Sequence, residues 1–320
     1  MYNILNKYKQ ALIILLKLAI VIGALYFIFR QLTNNQLLSF SQLKQQISVL
    51  FSKNIWLLIL LLLFTDVNWI LEIFKWKTLA SHENKISFFE AYEQCLASLT
   101  TSIITPNRIG EYGAKALYFE KRQRKKVMVL NLIGNLSQLA ITVFFGIIGI
   151  FFLSSYFKVG MFSFNTPKFF LFISILWLLF LLGKYFGVLK KMVELKFKIL
   201  RYSKQLPSKI LIKTLVYSLF RYLVFSHQFY FFLRLFQVEV DYFTLMSLIF
   251  STYLIASIIP GLSIFDWVIK GSVAVFIFSF IHLNPLTVVS ITTFMWLLNF
   301  AFPALIGSIF VINFKMVTEK

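Results

Sequence analysis

Ser102-Ile103-Ile104-Thr105-Pro106-Asn107-Arg108-Ile109-Gly110-Glu111, with Lys115 four residues on, interrupts an otherwise apolar stretch running from 88 to 120. Proline and glycine break a helix here. The ionisable residues beside them need a reason to be there, since a charge at a bilayer centre costs roughly 2.5 to 3.5 kcal/mol on insertion scales. A second apolar stretch, 243–282, breaks in the same manner at Ile259-Pro260-Gly261-Leu262-Ser263-Ile264-Phe265-Asp266, and Lys270 follows Asp266 by four. Each stretch reads as two full spans or as one re-entrant hairpin.

Outward from these two breaks the chain carries long apolar runs at 11–29, 54–74, 127–153, 168–187, 213–236 and 286–313, each long enough for a membrane helix. Composition agrees: 59% of the 320 residues are hydrophobic and 14% are charged, against roughly 25% charged in soluble domains. Mean hydropathy is +0.80. These values exclude a pair of soluble domains and point to one all-α transmembrane domain over 1–320. The net charge of +20 comes from 32 Lys and Arg against 12 Asp and Glu. Because the bases gather between spans, they read as topology signals and as attraction to anionic headgroups, not as a nucleic-acid surface. Cys95 is the single cysteine, which excludes an internal disulfide and offers no ligand set for a metal. The start reads as an uncleaved first span, because Arg30-Gln31-Leu32 makes a poor cleavage site.

Each broken stretch returns the chain to the side it left, so topology does not depend on how the breaks are resolved. The connection from Lys184 to Lys213 holds nine Lys or Arg against Glu194, and residues 121–126 read Lys-Arg-Gln-Arg-Lys-Lys. Both belong on the cytoplasmic face of the cell membrane. Six spans with both termini inside satisfy this and put Glu239 and Asp241 outside. The first break then opens from the cytoplasm and the second from outside. Ser102-Ile103-Ile104 before Pro106 matches Ser257-Ile258-Ile259 before Pro260, and the Glu111/Lys115 spacing matches Asp266/Lys270. Halves near 54–153 and 213–313 thus have the outline of an inverted repeat whose broken helices meet near the midplane, where transporters bind substrate.

If a helix restarts after each break, Glu111 and Asp266 occupy its first turn, where a carboxylate favours the dipole. Lys115 and Lys270 then lie one turn later on the same face. Two readings remain open: the pairs neutralise one another and fasten the hairpin tips, or free helix N–H groups with Arg108, Lys115 and Lys270 receive a lipid phosphate. In the second span, Asp66, Asn68, Trp69 and Glu72 read as one polar side. Glu72 is expected to anchor in the headgroups beside Lys75, Trp76 and Lys77, and Asp66 to lie deeper on a polar path. Asn131, Asn135 and Gln138 recur at helical period and are expected to join helices. Arg234 is expected to snorkel outward, whereas Arg221 calls for a phosphate or an acid such as Asp66. His227 reads as a hydrogen-bonded helix contact.

His82, His227 and His282 are too scattered for a zinc pair, and the chain has neither Gly-x-Ser-x-Gly nor an ATP-binding Gly-x-x-x-x-Gly-Lys loop. No cofactor and no metal is expected. The chain resembles the transmembrane flippase domain of the lysylphosphatidylglycerol synthetases and its stand-alone relatives. Asn68-Trp69, Lys75-Trp76-Lys77-Thr78-Leu79, Pro106-Asn107-Arg108-Ile109-Gly110-Glu111 with Lys115-Ala116, and Ile259-Pro260-Gly261 carry the resemblance, which covers nearly the whole chain. It implies two re-entrant hairpins meeting inside the membrane with a phospholipid headgroup crossing beside them. The family's second motif is usually glycine-rich and ends in an Arg-Glu pair, where this chain has Ser263-Ile264-Phe265-Asp266. Lys320 follows the last span directly, so a soluble synthetase domain is not expected.

The expectation is therefore a lipid flippase with a substrate site of Arg108, Glu111, Lys115, Asp266, Lys270, Arg221 and Asp66. The alternatives are a membrane enzyme or accessory subunit acting on a lipid-linked sugar, and a solute transporter. Expected partners are membrane lipids with anionic headgroups and no nucleic acid. A homo-oligomer and a separate lipid-modifying enzyme are left open.

Overall fold

Ile55–Ala80 forms α1, a helix whose buried stripe is more polar than its exposed face. Thr65, Asn68, Glu72 and Lys75 point inward at helical period, while Leu62, Leu63, Val67, Ile70 and Phe74 point out. This inversion of the soluble pattern is what hydrocarbon surroundings demand. The computed structural model describes residues 55–103, 105, 108–156, 202, 205–259 and 266–314 with Leu15, Ile22 and Tyr26, giving the backbone alone at Ser155, Tyr156 and Asp266. Apart from Leu15, Ile22 and Tyr26 the expected span at 11–29 lies outside the described residues, as do the expected span at 168–187, most of the basic 184–213 connection, and residues 104, 106–107 and 260–265.

The described chain continues with α2 (Phe88–Ile103), α3 (Ile109–Leu117), α4 (Arg124–Tyr156), α5 (Ser208–Leu235), α6 (Tyr242–Ile258) and α7 (Asp266–Phe278). It closes with α8 (Pro285–Trp296), a π turn (Leu297–Ala301) and α9 (Phe302–Asn313). Among the described residues four helices are long and apolar enough to cross a membrane: α1, α4, α5 and the continuous α8–α9 stretch. They coincide with four of the expected spans. Among the described residues every element is helical, as the sequence predicts for a membrane bundle.

Both apolar stretches with Pro and Gly are broken where expected, between α2 and α3 and between α6 and α7. At ~1.5 Å per residue, the nine residues of α3 rise about 14 Å, half of a ~30 Å hydrocarbon layer. The first broken pair is therefore too short for two full spans. Local chemistry fixes where the arms begin. Ser87 and Glu90 make a reciprocal capping box on α2, with Glu90 N–H donating to Ser87 Oγ at 3.1 Å and Ser87 N–H to Glu90 Oε2 at 2.6 Å. Asp241 caps α6 by accepting from Thr244 N–H at 2.9 Å, and hydrogen bonds from Thr244 hold its carboxyl below the ordinary aspartate value.

α1 packs along α5, α4 along α6, and α9 along α2; α3 rests on α4, α7 on α8, and each broken pair closes on itself. Exchanging α1 with α5, α2 with α6, α3 with α7 and α4 with α8–α9 leaves this scheme of contacts unchanged. The two long crossings also use the same device. A Cβ on Gly149 of α4 would come within 2.7 Å of the Ser247 carbonyl of α6, and one on Gly307 of α9 would fall inside contact distance of the Leu96 carbonyl of α2. Close backbone approach of this kind lets membrane helices gain packing where no hydrophobic drive exists. At the second crossing Thr100 Oγ1 donates to Ala304 O at 2.8 Å.

Gly307→Ala is therefore expected to destabilise the protein by about 1 to 3 kcal/mol through overpacking, read as a lower unfolding midpoint in detergent. Gly113→Ala, whose Cβ meets nothing within 4 Å, is expected to stabilise α3 by roughly 0.5 to 1 kcal/mol.

Candidate functional site

The break after α2 is held by short polar contacts. Thr105 Oγ1 donates to Ser102 O at 3.1 Å and accepts Gly110 N–H at 2.8 Å, so one of the orphan donors of α3 is satisfied by the residue before the proline. Arg108 adopts a left-handed conformation with φ 57°, and its guanidinium lies 5.6 Å from the centroid of the Phe300 ring. As expected, Glu111 sits in the first turn of α3 and forms a 2.9 Å ion pair with Lys115 one turn later. Lys115 is only 2% exposed. It also donates to Asn131 Oδ1 of α4 at 2.8 Å, and its ammonium lies 4.4 Å from the centroid of the Trp76 ring. Two acceptors and an aromatic face thus take up a buried charge.

A second charged group lies where α1 meets α5. Glu72 Oε2 is 2.6 Å from Lys75 Nζ and 2.8 Å from Arg221 Nη1. Arg221 Nε donates to Asn68 Oδ1 at 3.1 Å, and Asn68 Nδ2 donates to Asn299 Oδ1 in the π turn at 3.0 Å. Asn299 Nδ2 donates to Gln228 Oε1 at 2.8 Å, and Gln228 Nε2 donates to Thr65 Oγ1 at 2.8 Å and Leu61 O at 2.9 Å. One polar chain thereby ties α1, α5 and the π turn together. Gln138 of α4 joins it by accepting from Arg221 Nη1 at 3.4 Å. Asn131 and Gln138 join helices as the sequence suggests, and Asn135 donates to Tyr112 Oη at 3.1 Å. His227 is a helix contact between Leu223 O and Tyr242 Oη, and Arg234 is exposed.

Two expectations are corrected here. Glu72 is 8% exposed and Lys75 2%, so neither sits in the headgroups; Trp76 is buried too and donates to Gln94 Oε1 at 2.7 Å. Arg221 meets Glu72, whereas Asp66 is exposed on the outer face of α1 and lines neither cavity. The geometry explains the exchange: six residues at 100° each put Glu72 about 120° around the helix from Asp66, while Asn68 and Glu72 share a face.

Two cavities adjoin these groups. The smaller, about 70 Å³, is bordered by Glu72, Arg108, Glu111, Lys115 and Arg221. The larger, about 530 Å³, reaches from Arg108 and Arg221 to Lys270 and Trp267 on α7, with Tyr222 and Tyr253 in its wall. Arg108, Arg221 and Asn299 border both. Of the expected site residues, Arg108, Glu111, Lys115 and Arg221 are thus brought together, and Lys270 faces the larger cavity from the second broken pair. The Asp266 side chain lies outside the described residues, so its pairing with Lys270 does too. Among the described residues no Asp or Glu lines the larger cavity. Its volume is within the ~300 to 1,000 Å³ common for small-molecule sites.

Sequence reading missed Asn299, Gln228, Tyr222, Tyr253 and Trp267. For Asn299 a signal existed: it precedes Pro303 by four residues, and a proline deprives the carbonyl four residues earlier of its partner. The wide turn at Leu297–Ala301 follows from that and points Asn299 into the bundle.

A bundle of long apolar helices with a buried charged centre and two broken helix pairs defines a polytopic integral membrane protein. The family model of the lysylphosphatidylglycerol synthase TM region matches residues 14–318, so the chain belongs to that family. No curated protein and no solved structure gives a significant match.

Glu72→Gln leaves the buried Lys75 and the part-buried Arg221 without their acid and is expected to cost about 3 kcal/mol, measured by unfolding in micelles. Adding Arg221→Gln should recover part of that loss; a double variant as unstable as the sum of the two single ones would show that the pair is not coupled.

Proposed function

We propose that this protein is a lipid carrier that passes an anionic phospholipid headgroup between leaflets of the cell membrane. The observation that carries the reading is the cavity of about 530 Å³ shared by the two broken pairs, with Arg108 from one side, Lys270 from the other and Arg221 between. Bases gathered in a low-dielectric cavity suit a phosphate, to which Arg offers two parallel donors. The adjoining smaller cavity is bordered by Glu72 and Glu111 together with Arg108, Lys115 and Arg221. Among the described residues bases outnumber acids there, which favours an anionic ligand. Membership of a family named for a lipid synthase's transmembrane region supports a lipid-related role.

The exchange-symmetric packing supports reading residues 54–153 and 213–313 as an inverted repeat, in which rocking of the halves would expose the midplane site alternately. The orientation belongs to the same proposal: both termini and the basic 121–126 segment face the cytoplasm. The protein acts as a carrier rather than as an enzyme, and membrane lipids with anionic headgroups are its partners.

The test is leaflet exchange in proteoliposomes with fluorescent phosphatidylglycerol, phosphatidylethanolamine and a polyprenyl phosphate. Wild type is expected to exchange at least one anionic lipid. Arg108→Gln, and Glu111→Gln/Lys115→Gln, which removes both members of the pair, should each slow that exchange roughly 10- to 100-fold, as expected for lost charged hydrogen bonds. Both proteins should remain folded in detergent. A well-folded wild type that moves none of the three lipids sinks the carrier reading. A new lipid species in the mass spectrum would favour an enzyme instead.

A further inference from the structure

Asp66 is exposed on the outer face of α1, and among the described residues nothing forms an ion pair with it. Ile55, Ile59, Leu62 and Ile70 share that face and are exposed as well. Eight residues separate Asp66 from position 74, where the apolar run ends, so it lies about 12 Å from that end at ~1.5 Å per residue. This is well inside a ~30 Å hydrocarbon layer. A carboxylate at that depth is costly against lipid, and such groups are turned to protein, to water or to an opposite charge. The outer face of α1 therefore calls for a base to cover it.

The chain holds a match. Lys17 is the one charged residue within the apolar run 11–29, whereas the run 168–187 carries its bases, Lys168 and Lys184, at or near its ends. Lys17 lies outside the described residues, but Leu15, Ile22 and Tyr26 of the same run are helical and exposed. Around a helix Ile22 and Tyr26 fall within about 20° of Leu15, and Lys17 falls about 160° from it. The stripe opposite the exposed one is Ile13, Lys17, Val21, Ala24 and Ile28. Set antiparallel, its spacing repeats that of α1: Ile28 meets Ile55, Ala24 meets Ile59, Val21 meets Leu62, Lys17 meets Asp66 and Ile13 meets Ile70. Consecutive spans run in opposite directions, so residues 11 and 74 share a side of the membrane whichever way the chain is oriented. Lys17 is about 9 Å from its end and Asp66 about 12 Å from its own, a difference that a lysine side chain covers.

We propose that residues 11–29 dock antiparallel along the outer face of α1, joined to it by a Lys17–Asp66 ion pair within the hydrocarbon. The pair neutralises two charges that lipid would penalise, and Ala24 lets the helices close beside Ile59. Asp66 thereby fastens the first span and takes no part in the cavities.

Val21→Cys/Leu62→Cys, carried in a full-length Cys95→Ala chain in vesicles, tests the face and the register. Oxidation is expected to form an intramolecular disulfide, read as loss of both thiols to alkylation without a dimer band on a denaturing gel. Ile22→Cys/Leu62→Cys, which uses the opposite stripe, is expected to link roughly tenfold less. Asp66→Lys and Lys17→Asp should each lower the Val21/Leu62 link about tenfold, and the two together should restore it. Removing charge gives a second reading. Asp66→Leu or Lys17→Leu alone should lower the unfolding midpoint, whereas Lys17→Leu/Asp66→Leu should match or exceed the parent, because apolar residues replace a buried pair without loss.

A dimer link through Leu62→Cys in place of the intramolecular one would assign the face to a second copy and overturn the proposal. So would equal linking from Ile22 and Val21, or an exchanged pair linked no better than its single variants. Asp66→Leu more stable than the parent with the link intact would mean that the carboxyl faces lipid alone, which also sinks it.

Discussion

The Glu72 carboxylate, in contact with Lys75 and Arg221 at once, is the interaction on which the arrangement of this bundle depends. It lies where α1 meets α5, the two helices that exchange with one another when the halves are swapped. Burying three charges is unfavourable unless each has a partner, and here one oxygen serves two bases. The amides of Asn68, Asn299 and Gln228 extend the contact along the helix pair and into the π turn. Held by this chain, Arg221 borders both cavities. Glu111 and Lys115 approach from the hairpin as a second neutralised pair.

Around that centre the molecule solves a problem that soluble proteins do not face. Apolar surface gives no advantage to helix association in hydrocarbon, so the crossings rely on small residues and hydroxyls. Gly149 against Ser247 and Gly307 against Leu96 and Thr100 bring backbones together at equivalent places in the two halves. The broken pairs pack into this framework, α3 on α4 and α7 on α8.

Much of this was legible in the residues. Hydropathy located all four described spans, and Pro with Gly located both interruptions. Spacing alone paired Glu111 with Lys115. The facing of α1 was misread because the steps of three from Asp66 to Trp69 to Glu72 each drift by about 60°, so that the two acids end about 120° apart. A buried Lys75 and Trp76 could not be told from an interfacial anchor, since the same residue types serve both purposes. Nor could Tyr222 and Tyr253 be singled out among 14 tyrosines. Which tyrosines line a cavity is a fact of packing.

The wide turn at Leu297–Ala301 separates the faces of α8 and α9 in a way that bears on how length changes are tolerated. A regular helix that gains or loses a residue turns everything beyond it by 100°, so contacts at both ends cannot survive together. Here the turn before Pro303 already holds one residue more than a regular turn would. Removing a residue at that point would draw Asn299 out of its amide chain while leaving Gly307 seated on α2. The rear of the span is thus indexed independently of its front, and the polar centre can be altered by deletion without unpicking the crossing that supports it.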